Sequence, residues 1–505
     1  MFSDRRKGLR GPAGSWLALI GGALLPLAFA PFYWYPLAVV SLLLLFASWR
    51  DVKPRQAFWR GWLFGLGMFG VGVSWVYVAI HEFGQASWPL AGGLTAGFVA
   101  FLALMPALLG YLVKPLQNQR LNGVDYVLLL PAGWVGFEWF KSWFLSGFPW
   151  LEIGTAQIDG PLAGVIPIVG VYGASFLVAL TAGLLLTAWQ HKQWLWLLPA
   201  LLIWPAGMAL NSLQWTSAKD APLQVSMIQG NVDQAIKWDP DQLRQTLQLY
   251  ARLSMENWDS DLVIWPENAA TAFYHQIDEG FLLPLAKEAA ANNSELLVGL
   301  PVLDDDGERY YNSMARLAET ETPAFYHKKQ LVPFGDYVPF ETLRGLIAFF
   351  DLPMSGFVPG PENQPLIHAA GQPLGITICY EDAFTEEVRA TLPEASLLVN
   401  ATNNAWYGDS FAPHQHLQIS RSRALEAGRP VLRVTTNGIS AFIDHKGGIG
   451  EQSPQFQQAV ITQNIQPRQG ATPYVRFGQW PLIALLLVLL AGWGYYRLFY
   501  RRDEF

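Results

Sequence analysis

One cysteine, Cys379, stands in 505 residues. A single thiol excludes any disulfide within the chain and any zinc site built on several thiolates. The ordinary reading of a free cysteine is a small buried hydrophobe, so its neighbours must say whether it is filler or nucleophile. Charge is also scarce. Asp, Glu, Lys and Arg make up 14% of the chain, where soluble domains carry about a quarter. The net charge of −7 leaves no basic footprint for nucleic acid. There is no internal repeat and no low-complexity tract, which sets solenoids and linker-like chains aside.

What is abundant is apolar. Hydrophobic residues reach 51%, with 22 tryptophans. Residues 11–49, 61–80, 83–113, 160–191, 193–218 and 477–496 carry no Asp, Glu, Lys or Arg. A helix needs about 20 apolar residues to cross the hydrocarbon. The first run is long enough for two spans, separated by the turn signal PFYWYP at Pro31–Pro36. A weaker stretch lies at 124–140, with Asp125 and Glu138 near its ends. Eight spans follow, at about 13–31, 34–49, 59–80, 88–113, 124–140, 162–189, 193–212 and 479–496. Arginine and lysine cluster in alternate loops: Arg5, Arg6, Lys7 and Arg10; Arg50, Lys53, Arg55 and Arg60; Lys114 and Arg120; Lys192; and Arg497, Arg501 and Arg502. The positive-inside rule then puts both termini in the cytoplasm and the long segment between spans seven and eight outside. The first span is read as uncleaved, although MFSDRRKGLR and Ala28-Phe29-Ala30 also fit a signal peptide. Charges near span ends, at Glu82, Glu138 and Lys141, are tolerated cheaply there.

The chain divides accordingly into a membrane domain (1–213), a polar domain (214–472) and a last span with its tail (473–505). In the polar part, short apolar runs alternate with helical patterns, which predicts an α/β fold. Expected strands are Leu223–Ile228, Leu262–Trp265, Leu296–Leu300, Ala324–His327, Leu374–Cys379, Leu397–Asn400, Val431–Thr435 and Ala441–Ile443. Expected helices are Asp241–Trp258, Phe281–Asn292 and Gln415–Ala427. Three strand ends carry reactive groups: Glu267 after DLVIW, Lys328 and Lys329 after AFYH with Asp336 beyond them, and Cys379 after GITI. A thiol needs a base or a positive field to act as nucleophile. A carboxylate takes its proton, and an ammonium stabilises the thiolate and a tetrahedral oxyanion. Each residue alone is ordinary, since a Glu or a Lys-Lys pair after a strand is usually solvated. Their joint occurrence is what points to chemistry.

The stretches WPEN, YHKKQLVPFGDYVP and GITICYED resemble the nitrilase, or carbon–nitrogen hydrolase, superfamily. With FAPF at Phe29–Phe32, GFPWL at Gly147–Leu151, QGNVDQAIKW at Gln229–Trp238, NATNNAWYGDS at Asn400–Ser410, HLQISRSRALEAGRP at His416–Pro430 and TTNGISAF at Thr435–Phe442, nearly the whole chain resembles the bacterial apolipoprotein N-acyltransferase family. The resemblance implies an eight-span helical membrane domain joined to an α-β-β-α sandwich. It makes Glu267 the general base, Lys328 the triad lysine with Lys329 its neighbour, and Cys379 the nucleophile. Asp336 stands where the family commonly has glutamate. Tyr380 and Glu381 follow the nucleophile as in the family, with the Tyr380 backbone N–H as an oxyanion donor. Trp238 and Asn312 resemble residues that line the family's site.

The implied reaction is a two-step acyl transfer. A membrane glycerophospholipid acylates the thiol, and the α-amine of a diacylglyceryl-modified N-terminal cysteine on a lipoprotein takes the acyl chain. The implied setting is the bacterial inner membrane, with the polar domain on the periplasmic face and no cofactor. Two other readings stay open at this point. One is a membrane-tethered amidase or nitrile hydrolase with the same triad. The other is a transporter or receptor, although the spans lack paired interior charges and inverted symmetry. The apolar stretch GLIAFFDLPMSGF (Gly345–Phe357) reads equally as a lipid-facing loop or as core. His414 and His416 in PHQH have no further ligand cluster near them in sequence, so no metal is expected.

Overall fold

Apolar runs become helices because a backbone in hydrocarbon must satisfy its hydrogen bonds within its own segment. The computed structural model describes residues 11–114, 123–304, 306–318, 323–338 and 356–502. Two units separate: Met1–Tyr77, Pro89–Leu213 and Arg476–Phe505 form one, and Val78–Trp88 with Gln214–Val475 form the other. The basic N-terminal residues, Arg120 and most of the apolar stretch 345–357 lie outside the described residues.

The first unit is helical. Its helices include Pro12–Leu24, Pro36–Ser48, Pro54–Gly72, Trp88–Val113, Leu130–Lys141, Ile166–His191, Leu197–Leu210 and Trp480–Arg502. Several begin with proline in the first turn, where the missing N–H has no intrahelical partner to lose. Against the eight expected crossings, only Trp88–Val113 and Pro161–His191 are long and apolar enough alone among the described residues. Pro54–Gly72 and Trp75–Phe83 qualify together, bent by 55°. Pro12–Ala28, Pro36–Ser48, Trp194–Leu210 and Trp480–Tyr495 are apolar but shorter, at 10–17 residues. The weak stretch at 124–140 is a π-helical turn, Asp125–Leu129, followed by the 12-residue helix Leu130–Lys141.

Glu138 and Lys141 are not cheaply solvated end charges: both are fully buried. Lys141 Nζ donates to the carbonyls of Phe148 (2.8 Å) and Trp150 (2.7 Å). Glu138 Oε1 accepts from the Trp134 indole (2.9 Å) and the Ile153 backbone N–H (2.8 Å). Lys141 pins the GFPWL loop to the helix that carries it, and Glu138 holds Ile153 just beyond that loop.

The second unit contains β1 (Thr216–Ala218), β2 (Leu223–Gln229), β3 (Leu262–Ile264), β4 (Glu295–Leu303), β5 (Tyr310–Leu317), β6 (Ala324–His327), β7 (Ile367–Ala369), β8 (Gln372–Ile378), β9 (Leu397–Thr402), β10 (Val431–Thr435), β11 (Ala441–Ile443), β12 (Ile449–Gln452), β13 (Ala459–Ile465) and β14 (Arg468–Gly470). One sheet has the order β13-β2-β3-β4-β5-β6 and the other β12-β11-β10-β9-β8-β7, while β1 and β14 form a separate pair. In each sheet the centre is parallel, β2-β3-β4 and β8-β9-β10, with antiparallel strands outside it. The expected strands are all present; β6, β10 and β11 keep their expected bounds and the other five shift at one or both ends. The strand β5, which the mixed pattern YYNSMARL hides, the edge strands β7, β12 and β13, and the pair β1 and β14 are additions.

Helices Pro240–Met255 and Leu283–Ala291 cover the first sheet through Leu247, Tyr250, Leu285 and Ala289 against Val263, Trp265 and Val298. Each such side chain contributes about 1.5–3 kcal/mol on full burial. Helix Phe411–Ala427 covers the second sheet, with Leu417, Ala424 and Ala427 against Leu398 and Val431. The two sheets meet at Gln229, whose Oε1 accepts from the hydroxyls of Thr435 (3.0 Å), Ser440 (2.8 Å) and Ser453 (2.7 Å). The layering is helix, sheet, sheet, helix.

Candidate active site

Parallel strands deliver their carboxyl ends to one edge of a sheet. Glu267 follows β3 and Lys328 follows β6, which runs in the same sense because two antiparallel pairings separate it from β4. Cys379 follows β8 and Asn403 follows β9 in the second sheet. Gly299 on β4 permits this approach, since a Cβ there would stand 2.1 Å from the Pro266 carbonyl oxygen and 2.9 Å from Glu267 Cα.

The Glu267 carboxylate is almost fully bonded. Its Oε1 accepts from Asn312 Nδ2 (2.7 Å) and Lys328 Nζ (3.3 Å), and its Oε2 from the Asn403 backbone N–H (2.8 Å). Lys328 Nζ also meets Asp336 Oδ2 at 2.8 Å, and its side chain is 1% exposed. Burial acts to lower this ammonium, but Asp336, Glu267 and Cys379 outweigh it and hold it well above the ordinary lysine value. Asp336 in turn accepts the Val332 N–H at 2.8 Å, and its carbonyl accepts from Phe357, the buried end of the apolar stretch.

Cys379 opens a 3₁₀ turn, Cys379–Ala383, with φ +55°. A left-handed conformation is uncommon for a residue with a Cβ and marks a sharp, over-determined bend. The side chain is buried. Burial pushes the thiol up to about 12, helped by Glu267 and opposed by Lys328. The sulfur therefore rests as a protonated thiol within the fields of a carboxylate and an ammonium.

The residues after Cys379 hold its surroundings. Glu381 accepts the backbone N–H groups of Ile378 (2.7 Å), Lys329 (2.5 Å) and Gln330 (3.1 Å), and the Tyr326 hydroxyl at 3.0 Å. Burial still raises its carboxyl to about 7. Asp382 accepts from His416 Nε2 at 2.8 Å, from Ser420 Oγ, and from Arg433 Nη1 at 3.5 Å. Arg433 further donates to Asn400 Oδ1 (2.6 Å) and Asn404 Oδ1 (2.9 Å). Asn400 Nδ2 (3.1 Å) and His416 Nε2 (3.2 Å) both reach the Cys379 carbonyl. His416 Nδ1 faces Asn404 Nδ2 at 3.1 Å, so the ring is neutral with its proton on Nε2. Burial, and then Arg433, lower its basicity accordingly.

The structure thus brings together Glu267, Lys328, Asp336 and Asn312 by direct bonds, and Cys379 by electrostatic reach. Lys329 turns elsewhere and pairs with Glu387. Tyr380 is buried with its ring edge-on to Phe384. Trp238 is half-buried just before helix Pro240–Met255. Among the described residues no hydrogen bond or ring contact ties its indole to the triad. Sequence reasoning passes over Lys237, whose Nζ donates to the Glu267 carbonyl at 3.2 Å. It also passes over the Asp382–His416–Arg433 network. His416 enters there only as half of a histidine pair set aside as a metal site; both its ring nitrogens are engaged with side chains and backbone.

Residues 21–184 match the family profile "Apolipoprotein N-acyltransferase N-terminal domain", and residues 224–474 match "Carbon-nitrogen hydrolase". A Methylococcus capsulatus protein described as apolipoprotein N-acyltransferase is 46% identical over 477 residues, covering 93% of each chain. Proteins so described from Pseudomonas aeruginosa and Azotobacter vinelandii are each 44% identical. The first alignment covers 94% of both chains, and the second covers 97% of this chain and 96% of the relative.

Proposed function

This chain belongs to the apolipoprotein N-acyltransferase family, and on that footing we propose that Cys379 carries an acyl group from a membrane glycerophospholipid to a lipoprotein. The acceptor is the α-amine of the lipoprotein's diacylglyceryl-modified N-terminal cysteine. One observation carries this reading: a buried carboxylate, Glu267, is fixed by Lys328, Asn312 and Asn403 beside the chain's lone thiol. In the first step Glu267 takes the Cys379 proton as the sulfur attacks the ester carbonyl. The lysophospholipid alkoxide leaves with that proton, and a thioester remains. In the second step the amine attacks the thioester and Glu267 relays its proton to the departing sulfur.

Asn312 orients Glu267, and Asp336 keeps Lys328 charged. The Tyr380 backbone N–H, one residue beyond the nucleophile, donates to the oxyanion, and Trp238 lines the approach. Both substrates are lipid-anchored, which suits a chain with long apolar helices in its first unit. We further infer eight crossings, both termini in the cytoplasm and the second unit on the periplasmic face of the inner membrane. The alternation of arginine- and lysine-bearing loops supports this.

The test is peptide-level mass spectrometry of the full-length enzyme after incubation with phospholipid in mixed micelles. An acyl thioester on Cys379, absent from Cys379→Ala, is the expected result. No adduct, together with turnover of simple amides, would replace the proposal with a tethered amidase.

A further inference from the structure

Lys237 is 1% exposed. Among the described residues its Nζ makes one hydrogen bond, to the backbone carbonyl of Glu267 at 3.2 Å. An ammonium has three donors. A buried cation whose only bonded partner is a neutral carbonyl is poorly compensated. Lys328 is the opposite case, with its Nζ placed between the Asp336 and Glu267 carboxylates. The bond to the Glu267 carbonyl sets Lys237 against the residue that bears the site's carboxylate, and Glu267 and Cys379 both act on it electrostatically. Burial brings its ammonium down to about 8, against those two groups, so it is still protonated at neutral pH.

A cation with unspent donors beside a nucleophile is matched by negative charge that exists only during the reaction. The geometry points to Lys237 as a catalytic residue that donates a hydrogen bond to the oxyanion of both tetrahedral intermediates, an inference that rests on Cys379 being the acyl carrier. In acylation the S–H bond breaks and its proton goes to Glu267. The S–C bond forms, and the carbonyl π pair moves onto oxygen, where Lys237 donates without giving up its proton. Collapse restores C=O and breaks the ester C–O bond, and Glu267 returns the proton to the leaving alkoxide. In transfer the C–N bond forms and oxygen again takes the charge. The C–S bond then breaks, and the surplus amine proton reaches sulfur through Glu267.

The test uses full-length enzyme in phospholipid mixed micelles and follows acylation of Cys379 by intact mass. Alkylation of the same thiol by iodoacetamide is followed in parallel. Lys237→Met should slow acylation by about 10²–10³-fold, the usual loss for one oxyanion donor. Alkylation has no oxyanion, so it should change by less than about tenfold, through the thiol's acidity alone. Lys237→Gln, which keeps a neutral donor, should acylate measurably faster than Lys237→Met and covers the case where methionine prevents folding. Acylation of either variant at the wild-type rate, or equal losses in acylation and alkylation, overturns the role given to Lys237. A wild-type enzyme that forms no adduct overturns the acyl-carrier reading itself and this inference with it.

Discussion

Glu381 accepts the Lys329 backbone N–H at 2.5 Å while its other oxygen accepts the Ile378 N–H at 2.7 Å. One carboxylate therefore ties the residue after Lys328 to the residue before Cys379, and so sets the proposed triad lysine and nucleophile in register. Glu381→Ala would leave buried N–H groups unmet, at about 1–3 kcal/mol each. Acylation of Cys379 should fall sharply in that variant even where the protein stays folded, as read by near-ultraviolet circular dichroism beside intact mass.

The same residue predicts a pH slope. Its folded value of about 7 exceeds the ordinary 4.5. The folded chain thus binds an extra proton between those values, and stability from this group is complete below 4.5 and lost as pH rises through about 7. The melting-temperature difference between wild type and Glu381→Gln should therefore shrink as pH rises from 5 to 8. A difference that grows over that range would contradict the assignment.

Asp336 supplies the nearer of the two carboxylates that hold Lys328 charged. In Asp336→Asn, burial regains the upper hand and the ammonium loses its proton at lower pH. A new alkaline limb should appear in the pH–rate profile, along which the rate falls about tenfold per pH unit as the charged form is depleted. Asp336→Glu should show no such limb.

Arg433 bonds Asp382, Asn400 and Asn404 beneath the nucleophile turn and is fully buried. Arg433→Met should destabilise the chain by about 3–5 kcal/mol, because it takes a buried cation away from the buried Asp382 carboxylate. Asp382 is itself held below the ordinary range: burial pushes it up, but His416 and Arg433 outweigh burial. Its stabilisation is present above the ordinary value of 3.8 and disappears as pH falls through the lower folded value. Arg433→Met should therefore flatten the acid limb of a stability–pH curve.

Cys379 is a resting thiol, pushed up to about 12. Its alkylation by iodoacetamide should keep rising with pH through 9 and 10. A plateau near pH 7 would mean a preformed thiolate and would remove the need for Glu267 as base.

Glu279 is exposed in the second unit. A Glu279→Cys change in a Cys379→Ala background should react with a membrane-impermeant maleimide in cells whose outer membrane alone is permeabilised. Labelling only after lysis would reverse the proposed orientation.

Much of this is legible along the chain. Local patterns announce elements whose cause is local, so the strands expected at Ala324–His327, Val431–Thr435 and Ala441–Ile443 have their observed bounds. Buried helices and mixed strands are harder. Helix Phe411–Ala427 carries buried Gln415, Arg421, Arg423 and Glu426, so no apolar stripe runs along it, and its first turn, Phe411–His414 behind the Ser410 cap, lies outside the expected range. The strand Tyr310–Leu317, which holds Asn312, shows no clean alternation for the same reason.

Sequence alone determined that one thiol exists, that it follows a strand, and that acids and lysines follow others. It also determined which segments are too apolar for water, because composition and near-neighbour spacing are properties of the covalent chain. Only the tertiary structure decided which partners each group has. Glu267 and Asn403 are 136 positions apart yet bonded at 2.8 Å. Lys328 meets two carboxylates, while the bond of Lys237 among the described residues goes to a neutral carbonyl. Both lysines look alike in sequence, because hydrogen-bond saturation and burial are set by groups brought in from distant strands.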